Sequence, residues 1–117
     1  MATDRKKGNY LGTDIDGKWW KRHRADGMLS RGNGELWMDA EGIHFHRLLL
    51  KQDILIRWDA MTGFSLGKWH AGKWLAGYPV LKVHWEKDGT SLCSGFFLVK
   101  DWDEARQFVA DLTAKIA

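Results

Sequence analysis

Gly34-Glu35-Leu36-Trp37-Met38-Asp39-Ala40-Glu41-Gly42-Ile43-His44-Phe45-His46 is the stretch that decides the fold. Leu36 and Met38 alternate with Trp37 and Asp39, and Ile43 and Phe45 alternate with His44 and His46. Successive side chains of a strand point to opposite faces, so each run can bury one face and wet the other. The connection Asp39-Ala40-Glu41-Gly42 is short and ends on a glycine, which accepts positive φ. The stretch therefore reads as a β-hairpin.

Toward the C-terminus the same logic gives more strands. Ile54-Leu55-Ile56-Arg57-Trp58 is a third, Phe64-Ser65-Leu66 opens a fourth, and Val80-Leu81-Lys82-Val83-His84-Trp85 is the next. Lys87-Asp88-Gly89-Thr90 carries the Asp-Gly hairpin signature and leads into a last strand, Ser91 to Val99. The period then changes. Asp101 is followed three residues later by Glu104, which is a capping box. Ala105, Phe108, Val109, Leu112 and Ile116 fall on one helical face, with Asp103, Arg106, Asp111 and Lys115 toward water. So short a helix is marginal alone, so its apolar stripe must cover the open side of the sheets. The expected fold is mainly β: two packed antiparallel sheets of about seven strands, closed by a C-terminal α-helix. Toward the N-terminus, residues 1–17 are polar and read as a flexible arm, leaving 18–117 as a single domain. Periodicity does not decide between helix and strand for 18–29, where Trp20 and Met28 or Leu29 supply anchors.

The composition fits this. A chain of 117 residues has room for one core, and 44% hydrophobic residues suffice to build it. Eight tryptophans exceed what such a core readily encloses, so some belong in a groove or interface. The net charge of +3 permits a polyanionic partner without requiring one. The lone Cys93 cannot pair internally and is expected inside the last strand as a small hydrophobe. The residues from Met1 to Lys7 lack the apolar core of a signal peptide. Pure apolar runs such as Leu48-Leu49-Leu50 and Phe96-Phe97-Leu98-Val99 are far too short to cross a bilayer. A cytoplasmic location is expected.

The order of short strands and terminal helix is similar to that of a pleckstrin-homology-like barrel. Gly34 to Phe45 resembles the opening hairpin of bacterial PH-like and GRAM-like domains, and Ile56-Arg57-Trp58-Asp59-Ala60-Met61 resembles the strand and bend that follow. Ser94-Gly95-Phe96-Phe97-Leu98 with its helix looks like their closing unit. Arg31-Gly32-Asn33-Gly34-Glu35 and Gly67 to Trp74 look like stretches of other bacterial members. The resemblance implies a fold and no particular activity. Phosphoinositide-binding PH domains carry a run of Lys and Arg in and after the first strand. Here the hairpin has Asp39 and Glu41 at its turn, with His44, His46 and Arg47 beyond, which argues against inositol phosphate there.

The densest candidate surface is Gly67 to Gly77, a twofold Gly-Lys-Trp pattern carrying Lys68, Trp69, His70, Lys73 and Trp74. Indole faces can stack on a ring while Lys68, His70 and Lys73 meet an anion. A secondary basic-aromatic patch is Trp19, Lys21, Arg22 and Arg24, of a kind that suits a membrane surface or single-stranded nucleic acid. It is short and flanked by Asp14, Asp16 and Asp26, so a solvated edge whose Trp residues fold back on the core is the favoured reading and nucleic acid is not expected. His44 and His46 share one side of a strand but lack further ligands at metal spacing, so no metal or cofactor is expected. No nucleophile triad, phosphate loop or carboxylate pair is recognisable, and an enzyme assembled from residues such as His70, His84 and Asp59 is the weakest reading. The leading expectation is a non-catalytic binding or scaffolding module whose partner is a protein or an anionic small molecule or lipid. The second is a peripheral module at the inner face of the membrane. The surplus tryptophans also lead us to expect self-association through a sheet edge or aromatic patch.

Overall fold

The computed structural model describes residues 5–16, 18–23, 31–70 and 72–116. Chain order is β1 (Lys6–Ile15), β2 (Lys18–Arg22), β3 (Gly32–Met38), β4 (Gly42–Arg47), β5 (Ile54–Arg57), a 3₁₀ turn (Trp58–Ala60), β6 (Met61–Gly67), β7 (Trp69–His70), β8 (Lys73–Trp74), β9 (Val80–Lys87), β10 (Thr90–Phe97) and α1 (Trp102–Ile116).

The β3–β4 hairpin forms as the alternation requires. Leu36 faces Phe45 and Met38 faces Ile43 across it, and β5 continues the layer with Ile56 beside Ile43 and Ile54 beside Phe45. Leu36, Ile43, Phe45, Ile54 and Ile56 are all buried. In the turn, Asp39 Oδ1 accepts the N–H of Glu41 at 2.8 Å. Gly42 is required for a different reason from the one expected. Its φ of 159° is close to extended, and a Cβ there would run into the Ile56 carbonyl of the neighbouring strand. Asp88 and Gly89, at φ 52° and 78°, make the two-residue turn between β9 and β10.

Seven strands pair antiparallel in the order β5-β4-β3-β1-β10-β9-β6, with β2 added beside β1. This corrects the expected two packed sheets: the large sheet is continuous, and among the described residues the only other is the β7–β8 ribbon. The large sheet is strongly curled. Phe45 on β4 and Phe96 on β10 have ring centroids 5.4 Å apart, whereas three strand spacings in a flat sheet would separate their backbones by about 14 Å. Strand pairing does not close it into a barrel, since among the described residues β5 pairs only with β4 and β6 only with β9. The 3₁₀ turn links those two edges, and α1 packs beside them against β6. Asp101 Oδ2 caps α1 by accepting the Glu104 N–H at 3.0 Å. Ala105 and Leu112 are buried, with Phe108, Val109 and Ile116 partly so against the same core.

The second correction concerns the N-terminus. Residues 6–15 are no arm but the middle strand, held by β3 along Lys6–Tyr10, by β10 along Asn9–Ile15 and by β2 at Asp14 and Ile15. A bulge between Tyr10 and Gly12 breaks the period of two. Beyond it the inward residue is polar. Tyr10 Oη and Ser94 Oγ each lie 2.6 Å from Thr13 Oγ1, and Trp85 Nε1–H donates to Ser94 Oγ at 2.9 Å. This buried chain of hydroxyls is satisfied by hydrogen bonds, as burial demands. No helix among the described residues is long and apolar enough to cross a membrane.

Leu112 is 1% exposed, so Leu112→Ala is expected to cost about 2–5 kcal/mol, the range for a buried leucine. Urea unfolding of the two proteins checks this; equal midpoints would remove α1 from the core.

Candidate functional site

The Gly67–Gly77 segment folds as a ribbon in which Trp69 faces Trp74 and His70 faces Lys73. Cross-strand partners share a face, so the two indoles lie together, 6.1 Å between centroids. Both are exposed, Trp69 by 59% and Trp74 by 52%. Alternation then turns His70 the other way, onto the outer face of the large sheet. His70 is 2% exposed, which corrects its expected place on the ligand surface. Its Nε2–H donates to the Gly12 carbonyl at 2.8 Å, and the ring rests where a Cβ of Gly95 would otherwise sit. Gly12 is the bulge glycine of β1, with φ 106°. The two glycines make the seat, and the imidazole pins the ribbon to it.

Around this pin lie Asp14 Oδ2 at 3.9 Å and Cys93 Sγ at 4.0 Å from His70 Nδ1. Burial, then the Asp14 charge, pushes the Cys93 thiol up to about 12, so it is no nucleophile at neutral pH. His84, beside Cys93 in register, contacts Ser65 Oγ through Nε2 at 2.7 Å. Burial and then Lys82 hold His84 below the usual histidine value.

The ribbon also walls a cleft. Lys73 and Trp74 line it together with Asn9, Tyr10 and Leu11 of β1, Arg31 and Gly32 at the start of β3, Leu75, Ala76 and Tyr78, and Phe97 of β10. Its volume is about 530 Å³. Tyr78 stacks on Phe97 at 5.9 Å, and Lys100 Nζ lies 5.6 Å from the Tyr78 ring centroid. Helix α1 steadies this corner, because Trp102 Nε1–H donates to the Gly77 carbonyl at 3.0 Å. Of the residues expected from the sequence, Lys73 and Trp74 thus enter the cleft. Trp69 supports Trp74 from outside and Lys68 is exposed beyond it. Arg31, Tyr78 and Phe97 were missed, since they come from three separate segments and no spacing joins them.

Of the secondary patch, Trp19, Lys21 and Arg22 belong to β2, and Lys21 is exposed. Arg24, Met28 and Leu29 lie outside the described residues. At the β3–β4 turn, His44 Nε2 lies 2.8 Å from Asp39 Oδ1 with its ring stacked on Trp37, and His46 Nδ1 lies 2.6 Å from Asp53. The hydrogen bond to His44 holds the Asp39 carboxyl below its usual value. Asp39, Glu41 and His44 bring their ligand atoms within 4.8 Å of one another. Asp39 Oδ1 is already engaged by backbone N–H groups, and Glu41 faces Arg57 at 3.7 Å. Arg47, at 1% exposure, is inside the molecule, its Nη2 donating to the Gln52 carbonyl. These groups are engaged by partners, and among the described residues no cationic cradle forms at the hairpin turn.

A family model described as bacterial PH domain-like matches residues 1–113, nearly the whole chain and including the β1 strand. The chain belongs to the bacterial PH domain-like family. No curated protein matches it in sequence. In this PH-like domain the ribbon between β6 and β9 carries the two exposed indoles.

The pin can be tested through Cys93, which neighbours His70. In the parent, Cys93 is expected to resist a thiol-reactive disulfide reagent at mildly alkaline pH until denaturant is added. Gly95→Ala drives a methyl into the imidazole and should raise the labelling rate at least about tenfold, since reactivity needs exposure and thiolate. Rapid labelling of the parent, or none of the variant, would contradict the seat.

Proposed function

We propose that this PH-like domain is a non-catalytic binding module whose ligand combines an anionic group with a flat apolar portion. The observation that carries the reading is the cleft: aromatic walls from Trp74, Tyr78 and Phe97, with the cations Lys73 and Arg31 at its margin. Its volume is within the range of ligand pockets, and its apolar lining with a few polar groups is the usual composition of one. Aromatic faces take the flat part by stacking, while the cations orient the charge. Trp69 braces Trp74, so the wall keeps its orientation without a bound partner. The thiol at about 12 removes the most reactive side chain near the ribbon from chemistry. The same chemistry fits a soluble anion or the headgroup of a lipid.

A small probe of this class is anilinonaphthalene sulfonate, an aromatic anion that brightens in apolar surroundings. Saturable binding to one site per chain is expected, weakening with salt. Trp74→Ala and Lys73→Glu should each weaken it about tenfold, in line with truncation of an aromatic anchor or removal of a charge partner. Circular dichroism of the variants should match the parent. Equal binding by parent and variants would rule out the cleft.

A further inference from the structure

The loop between β4 and β5 presents Leu48, Leu49 and Leu50 in succession, exposed by 58%, 102% and 38%. Leu49 is the extreme case, with its whole side chain in solvent. It is also strained. Leu50 N–H bonds to the Arg47 carbonyl at 3.2 Å, closing a turn whose third residue, Leu49, has φ 70°. Gly or Asn fills such a position freely, whereas a leucine there is disfavoured. A residue that gains nothing from folding and is costly to hold points to a use outside the fold.

The loop is braced rather than slack. Arg47 is buried and its Nη2 donates to the Gln52 carbonyl at 3.1 Å, Leu48 N–H bonds to the Asn33 carbonyl at 2.8 Å, and His46 holds Asp53. The leucines thus stand as a preformed convex tip. Its neighbours are cationic: Lys51 follows the leucines, and Lys7 shares a second groove with Leu48. The acids nearby are occupied, Asp53 by His46 and Glu35 by Arg5 at 3.7 Å. That second groove and the Trp74 cleft share Asn9 and Phe97, so the tip and the exposed indole adjoin one continuous face. Of the exposed large hydrophobic side chains, Leu48, Trp74 and Tyr78 line this face and Trp69 packs on Trp74.

We propose that the Leu48–Leu50 tip inserts into the surface of an anionic bilayer. A convex apolar tip needs no concave partner when it enters lipid, and the flanking lysines meet the negative headgroups. Trp74 and Tyr78 then stand at headgroup level, where amphipathic rings reside. This extends the cleft reading, by placing the cleft at the headgroups, yet it rests on the tip alone and can fail separately.

The test is co-sedimentation of the full chain with phosphatidylcholine vesicles, with and without phosphatidylglycerol, at low and high salt. Leu48→Ser/Leu49→Gly is the variant, because glycine relieves the left-handed turn and the double variant should melt no lower than the parent. Binding is expected to need phosphatidylglycerol, to fall with salt, and to drop about tenfold or more in the variant. The variant should still bind anilinonaphthalene sulfonate, which separates the tip from the cleft. A parent that stays in the supernatant with anionic vesicles, or a variant that binds them equally, overturns the proposal. So does a parent dimer, seen by light scattering, that the variant turns into a monomer without any vesicle binding.

Discussion

His70 lies over the backbone of Gly95 and donates its Nε2–H to the Gly12 carbonyl, and the position of the ribbon depends on that contact. Two residues per strand are too few to hold a ribbon by pairing alone. With the imidazole seated, Trp69 and Trp74 must face outward by alternation, and Lys73 and Trp74 become one wall of the cleft. The bulge at Gly12 has two effects at once. It turns Thr13 into the core, where it joins Tyr10 and Ser94, and it leaves the Gly12 carbonyl available to His70 on the opposite face.

Much of the fold was legible because most elements keep a clean period. The hairpin from Gly34 to Arg47, the Asp88-Gly89 turn and the capped helix from Trp102 all satisfy local rules and tertiary packing together. β1 was illegible for the opposite reason. Its bulge interrupts the alternation, and its inward Tyr10 and Thr13 are held by hydrogen bonds rather than by an apolar stripe. Two sheets were expected where one curled sheet exists, since strand patterns say nothing of where pairing continues around a bend.

The site was half legible. Density of Trp and Lys marked the ribbon, and Lys73 and Trp74 do line a cleft. His70 was misplaced because composition does not reveal which of two alternating residues turns inward, although placing both indoles outward leaves His70 no other face. Arg31, Tyr78 and Phe97 meet only through the tertiary fold. The leucine tip reads in sequence as an apolar run too short to cross a bilayer, and only the exposure and backbone of Leu49 set it apart from core.

The central claim is that the ribbon is pinned by the His70 imidazole, and ¹⁵N-labelled ring nitrogens report on it directly. A carbonyl can only accept, so Nε2 must carry the proton that Gly12 receives. A long-range ¹H–¹⁵N spectrum near neutral pH should show His70 Nε2 protonated, with a proton that exchanges slowly with water. A His70 ring that averages its tautomers and exchanges as fast as an exposed histidine would contradict the account.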